Sequence, residues 1–234
     1  MAVKIGSARS SFGNTKAGDQ SGGKEVSTQE YYVASKGWYV LRCKDAAKRK
    51  KIAEAMQKAC DNNDIGYSQG TRNTLYNDIK DKGFDPSKTS KAVNTDCSAL
   101  VRVCVNYAGI TVGDFITSGE ASALVKTGQF EKLTTDKYCK SSDYLMKGDI
   151  LVTRTKGHTV VVLTDGRKAE YPAETSDGLT VTGDSVNIRK GPGTDYGVVC
   201  VANKGDTLEK VDADGWTPVK VNGQVLWISS KYIK

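Results

Sequence analysis

The sequence predicts an α+β fold followed by a small all-β barrel, and three observations carry that prediction. From Trp38 to Tyr171, apolar residues at helical spacing alternate with β-branched runs. From Pro172 to Gly183, "PAETSDGLTVTG" breaks the periodicity and reads as a linker. Beyond it lie the runs Ser185 to Arg189, Gly197 to Ala202, Thr207 to Asp212, Thr217 to Val221 and Gln224 to Ile228. Gly191-Pro192-Gly193, Asn203-Lys204-Gly205, Asp214-Gly215 and Asn222-Gly223 punctuate them. Five strands in about 50 residues make a closed barrel. The expected organisation is 1–171 for the first domain, with 1–30 as an arm, 172–183 for the linker and 184–234 for the barrel.

Residues 1–30 are rich in Gly, Ser, Lys and Thr and contain "KAGDQSGGKEV". Composition favours a flexible arm. The other reading is a loop folded over a groove, with Asp19, Gln20 and Glu25 as polar contacts. Trp38 to Arg42 reads as a strand, with Trp38 and Tyr39 in the core or lining a groove. Lys44 to Cys60 is a helix with Ile52, Met56, Ala59 and Cys60 on one face and Lys48, Arg49, Lys50, Lys51 and Lys58 on a solvated one. Asp61 to Gly70 is a turn-rich loop. Thr71 to Lys82 is a second helix, with Leu75, Tyr76 and Ile79 inward and Gly83 as its stop. Ser118 caps a short helix to Lys126, with Ala121, Leu124 and Val125 apolar. Gly148-Asp149 leads into a strand ending at Thr153. Thr164-Asp165-Gly166 suits a three-residue hairpin loop with Gly166 left-handed, which would set Leu163 opposite Arg167 and Val160 opposite Glu170, whereas a two-residue Asp165-Gly166 loop would turn Glu170 to the other face as a surface residue.

The chemistry centres on Cys97. Asp96 or Thr95 caps a helix running from Cys97 to Ala108, on which Leu100, Val103, Cys104 and Tyr107 recur at helical spacing and which Gly109 ends. A cysteine in a first helical turn meets unpaired N–H groups and the positive end of the macrodipole, both of which favour the thiolate. The sole histidine, His158, opens a β-branched run after Lys156-Gly157. One cysteine at a helix start and one histidine at a strand start form the pattern of a cysteine hydrolase. Cys43, Cys60, Cys104, Cys139 and Cys200 show no paired C-x-x-C spacing with Cys97, so neither zinc nor any other metal is expected. In a reducing cytosol all six cysteines remain thiols.

The stretches "TDCSALVRVCVNYAG" and "KGDILV...KGHTVVVLTDG" resemble the NlpC family of papain-like cell-wall cysteine peptidases, over roughly Ile65 to Tyr171. The resemblance implies hydrolysis of an amide bond in peptidoglycan without a cofactor. It makes Cys97 the nucleophile and His158 the base. The polar residue that such enzymes place twelve positions after the histidine falls on Glu170, where the family more often has His, Asn or Gln. A glutamate there would accept a hydrogen bond from the ring, raise the pKa of His158 and favour an ion pair with Cys97. Tyr67 is the nearest match to the family's upstream tyrosine, although the following Gly-Gly is missing and the spacing to Cys97 is long. Asp96 and Ser98, beside the cysteine, join Tyr67 as candidates for substrate contact. So do Asp19 and Gln20, because phage endolysins similar to this chain carry a related "GDQ...KEV" stretch.

The segment Asp184 to Lys234 resembles the bacterial SH3 domain, which implies wall binding. Tyr196, Trp216, Trp227 and Tyr232 are its candidate binding aromatics, with Trp216 and Trp227 as barrel core the alternative. The expected protein is thus endolysin-like and most simply cuts within the stem peptide. An amidase cutting between sugar and first alanine would use the same residues, and a non-catalytic wall-binding protein is a third reading.

With 234 residues and 38% hydrophobic content, the chain can bury a core. A net charge of +7 and a pI near 9.0 suit a polyanionic partner such as anionic wall polymers. The sequence shows no nucleic-acid motif and no stretch long enough to insert into a membrane. Its start, "MAVKIGSARSSFG", lacks the apolar core of a signal peptide. Synthesis in a host cytoplasm and action on the wall after release are therefore expected.

Overall fold

Consecutive apolar residues in Val40-Leu41, Leu151-Val152 and Val160-Val161 point to opposite faces of a strand, and all are buried. A sheet covered on both faces follows, which explains why these strands read as continuous apolar runs instead of alternating ones. The computed structural model describes residues 2–10, 25–169, 178–209, 216–222, 224–229 and 232–233. It divides into two compact units, Met1–Ala169 and Glu170–Lys234.

In chain order the first unit contains β1 (Lys4–Ala8), β2 (Val26–Glu30), β3 (Trp38–Cys43), α1 (Ala46–Asp61), β4 (Ile65–Tyr67), α2 (Thr74–Ile79), β5 (Val93–Thr95), α3 (Cys97–Tyr107), α4 (Thr117–Lys126), β6 (Phe130–Leu133), α5 (Asp136–Cys139), β7 (Ile150–Thr153) and β8 (Thr159–Val162). An antiparallel six-stranded sheet has the order β2-β1-β8-β7-β3-β6. β4 and β5 form a separate parallel pair. One core joins Leu41, Ile150, Val152 and Val161 to Ile52 and Met56 of α1 and Leu100, Val103 and Cys104 of α3. On the opposite face Ile5, Trp38, Val40, Leu151, Val160 and Val162 pack with Cys139 and Leu145. Trp38 is thus core, its indole N–H donating to the Tyr32 carbonyl at 2.9 Å.

Several expectations change. The described parts of the N-terminal arm are strands, and β1 lies inside the sheet between β2 and β8. Helix α1 starts at Ala46, because Asp45 caps it by accepting the Lys48 N–H at 2.9 Å. Arg49 leaves the solvated face and turns inward to the Cys43 carbonyl at 2.8 Å. The second helix covers only Thr74–Ile79 before a 3₁₀ turn, Lys80–Lys82, and left-handed Gly83. On α4, Val125 is 40% exposed and Glu120 is fully buried, the reverse of their polarity.

The hairpin after β8 does not form. Both edges of β8 are already taken, by β1 and β7. The Leu163 N–H donates to the Lys4 carbonyl, and the chain then runs beside residues 143–147 through Gly166 N–H to Leu145 O and Lys168 N–H to Asp143 O. Gly166 is not left-handed. It is glycine because a Cβ there would collide with the Ser142 and Asp143 carbonyls. Gly148, at φ 89°, meets the same constraint against the Arg49 carbonyl. The neighbouring Asp149 is fully buried and forks onto Arg42 at 2.9 and 2.7 Å.

The second unit contains β9 (Gly178–Thr180), β10 (Val186–Arg189), β11 (Val198–Ala202), β12 (Thr207–Glu209), β13 (Trp216–Val221) and β14 (Gln224–Ser229). Its four-stranded sheet has the order β11-β10-β14-β13, and β9 pairs with β12. Val181, Val186, Ile188, Ala202, Val219, Leu226 and Ile228 form the core. The strand β9 and the buried Val181 fall in the stretch read as linker, so the barrel begins before Asp184. Among the described residues no helix is long and apolar enough to cross a membrane.

Candidate active site

Parallel pairing of β4 with β5 sets Tyr67 beside Thr95, two residues before Cys97. The long spacing between Tyr67 and Cys97 is absorbed by α2 and the two 3₁₀ turns, Lys80–Lys82 and Pro86–Lys88, and does not separate them in space. Asp96 is extended, at φ −112° and ψ −179°, and its Oδ1 accepts the Ala99 N–H at 2.7 Å. Cys97 is therefore the first residue of α3, and it is 8% exposed.

Arg72 fastens this helix start. Its Nε donates to Asp96 Oδ2 at 2.6 Å, and its other nitrogens reach Ser98 Oγ at 3.0 Å, the Phe115 carbonyl at 2.6 Å and Asp114 at 2.9 Å. Ser98 also donates to Asp96 Oδ1 at 3.0 Å. The Asp96 and Ser98 side chains are thus engaged in holding α3. Removing one partner of a buried pair leaves the other charge without compensation. Arg72→Ala is expected to destabilise the first unit by about 3 kcal/mol. Arg72→Lys should recover only part of this, since a point charge cannot reproduce the fork. Denaturant unfolding of the two variants measures both effects.

The opposing wall is the turn from β7 to β8. Thr153 Oγ1 accepts the N–H of Gly157 at 3.0 Å and of His158 at 3.1 Å, and the His158 carbonyl accepts the Thr153 N–H at 2.9 Å. From α4, Thr117 Oγ1 donates to the Lys156 carbonyl, and Glu120 Oε1 accepts the Thr159 hydroxyl at 2.7 Å. Helix α3 packs against β8, and the Thr159 and Ser98 backbone N–H groups lower the Cys97 thiol against its burial. The residue beside the sole histidine thus bears on the cysteine.

Burial dominates the electrostatics. It pushes the Cys97 thiol up to about 12, with the Asp96 and Glu120 carboxylates adding and the Thr159 and Ser98 N–H groups opposing. It lowers His158 to about 4, with Arg9 adding. The expected resting thiolate and raised imidazole are therefore replaced by a neutral pair, because loss of water outweighs the helix N-terminus. Burial also raises Tyr67, and Cys97, Asp96 and Glu25 act in the same direction against a hydrogen bond with Gln69. Glu25 Oε2 accepts the Tyr67 N–H at 3.0 Å. Asp19, Gln20 and Glu170 lie outside the described residues. Among the described residues, no three His, Cys, Asp or Glu side chains form a metal-ligand group.

In the barrel, Tyr196 is 49% exposed. Trp216 and Trp227 are half-buried and lie outside the core cluster. Trp227 pairs with Pro218 and Arg189, so Trp216, two residues from Pro218, shares its face of the sheet. Tyr232 packs against the core.

The chain belongs to the endolysin-like domain family, whose model matches residues 8–169. Residues 184–234 match the bacterial SH3 domain. Together they define a phage-endolysin-like wall protein, and the pairing points to hydrolysis of peptidoglycan. No curated protein matches the chain.

Sequence reasoning missed Arg72, Glu120, Thr159 and Arg9. Glu120 left a readable signal, since Thr117, Glu120 and Leu124 share one helical face and a carboxylate in that row is anomalous. Arg72 left none, because its partners Asp96, Ser98 and Asp114 are distant in sequence.

Proposed function

We propose that this protein cleaves an amide bond of the peptidoglycan stem peptide by an NlpC-like, papain-like thiol mechanism, with Cys97 as nucleophile and His158 as base. The observation that carries this is the packing of α3 on β8, which sets the strand after the sole histidine against a helix opened by a thiol. Both groups are neutral at rest, so the proton passes from sulfur to imidazole as sulfur attacks the carbonyl. The Cys97 backbone N–H at the start of α3 holds the oxyanion. The imidazolium returns its proton to the leaving amine, and a thioacyl enzyme remains. Water activated by His158 then releases the acid. Asp96 and Ser98 serve by holding the helix start, and Tyr67 borders the substrate. The register position expected for a partner strand carrying Glu170 belongs to β1, and Arg9, just past that strand, is the charged group that bears on the ring. In the barrel, Trp216, Trp227 and Tyr196 present the wall-binding surface.

Mass spectrometry of digested walls tests the bond. New termini within the stem peptide are expected, whereas stems with a free N-terminal alanine would move the cut to the sugar–peptide amide. Walls without new termini would leave only binding. The base must be unprotonated, and His158 is lowered to about 4. Turnover of soluble wall fragments should therefore hold as pH falls from 7 and fail only through about pH 4. An acid limb at the ordinary histidine value would exclude His158 in this environment.

A further inference from the structure

Glu120 has no part in the reaction as drawn. It lies in the first turn of α4 with its carboxyl fully buried. Oε1 accepts the Thr159 hydroxyl at 2.7 Å, and Oε2 is buried without a hydrogen-bond partner. Thr159 opens β8, which packs on α3, and its backbone N–H lowers the Cys97 thiol. One turn earlier on the same face, Thr117 binds the Lys156 carbonyl. Helix α4 thus grips the chain on both sides of His158.

Resting on the reading of Cys97 and His158 above, we propose that Glu120 is a positioning residue that acts through Thr159, holding the start of β8, beside His158, against the helix that Cys97 opens. A protonated carboxyl accepts the Thr159 hydroxyl through its carbonyl oxygen and puts no charge beside the sulfur. An ionised one opposes the negative charge that attack develops there. Burial raises Glu120 to about 8, the Thr159 hydrogen bond opposing and Asp96 adding. The carboxyl is neutral below that pH, and above it Glu120 raises the thiol further.

The other elements packed on α4 leave Asp96 and Cys97, from α3 and its cap, as the ionisable groups bearing on Glu120. β7 carries no ionisable side chain, and on β6 Glu131 and Lys132 are exposed. On β3, Arg42 is tied to Asp149, Tyr39 lies under Lys132, and Cys43 is a buried thiol raised by burial.

The test uses the full chain, with Glu120→Gln, which keeps the acceptor but cannot ionise, and Glu120→Leu, which removes the acceptor at similar volume. Alkylation of Cys97 by iodoacetamide is followed against pH by mass spectrometry, and kcat and KM are measured on soluble wall fragments. In wild type, kcat should fall as pH rises through about 8. Glu120→Gln should lose that alkaline fall, and its Cys97 should titrate at lower pH. Glu120→Leu should lower kcat about tenfold at pH 7 with KM unchanged, and Thr159→Val should do the same. The double variant should be no worse than either single one, since both break one chain of contacts. If Glu120→Leu does not fold, Glu120→Gln carries the test alone.

An alkylation midpoint in Glu120→Gln equal to that of wild type overturns the proposal, and so does wild-type kcat in a folded Glu120→Leu. The alkylation profile reads the thiol whether or not Cys97 is the nucleophile. Wall lysis by Cys97→Ser would therefore remove the catalytic reading, and the positioning role with it, while the thiol shift remained separately measurable.

Discussion

Cys97→Ser should clear cell walls at least about 10⁴-fold more slowly than wild type, the scale of losing a covalent nucleophile. A serine hydroxyl is a far weaker nucleophile than a thiol when the base is a neutral imidazole, and no second thiol replaces it. Cys43, Cys104 and Cys139 are fully buried, and Cys60 nearly so. Cys200, in the barrel, is half-buried and gives the cleanest control, because Cys200→Ser disturbs no core of the first unit. Within the first unit Cys97 should alkylate before the other cysteines, since it is 8% exposed and they are 2% or less. A Cys97→Ser protein that lyses walls near the wild-type rate would end the thiol mechanism. Folding of the variant is checked by its unfolding midpoint.

Removing the barrel should have the next largest effect. A chain ending at Asp177 keeps both cores of the first unit and omits β9, whose partner β12 lies in the second. It should turn over soluble fragments at close to the full-length rate. On intact walls it should be about a hundredfold slower, the scale of losing a tethered binding module. The complementary piece, 178–234, has its own core and should sediment with walls while lysing nothing. If that piece stays in the supernatant at low salt, wall targeting by the barrel is wrong.

The parts of the site legible in the sequence are those whose physics is local. Asp96 caps α3 through an N–H three residues on, so the cap, the helix and the place of Cys97 within it could be read from one short stretch. The barrel strands were legible for the same reason, since period-two runs and their Asn-Gly and Gly-Pro-Gly turns are nearest-neighbour signals. The turn from β13 to β14 shows it: Asn222 takes the positive φ, 51°, that a tight hairpin needs.

Thr164-Asp165-Gly166 carries an equally good local hairpin signal, yet no hairpin forms there, because β1 from the far end of the chain already occupies that edge of β8. A turn preference cannot report an edge that a distant strand has filled. The protonation states followed the same rule. The helix start favours a thiolate from nearby backbone, but burial by residues far apart in sequence removes water from Cys97 and His158 and leaves both neutral. Arg72 on Asp96 and Glu120 on Thr159 likewise join side chains distant in sequence. What the sequence alone determined is therefore the cap of the helix that Cys97 opens, the strand after the histidine and the barrel. What only the tertiary structure decided is which carboxylates and which N–H donors surround the thiol, since desolvation and charge depend on distance in space.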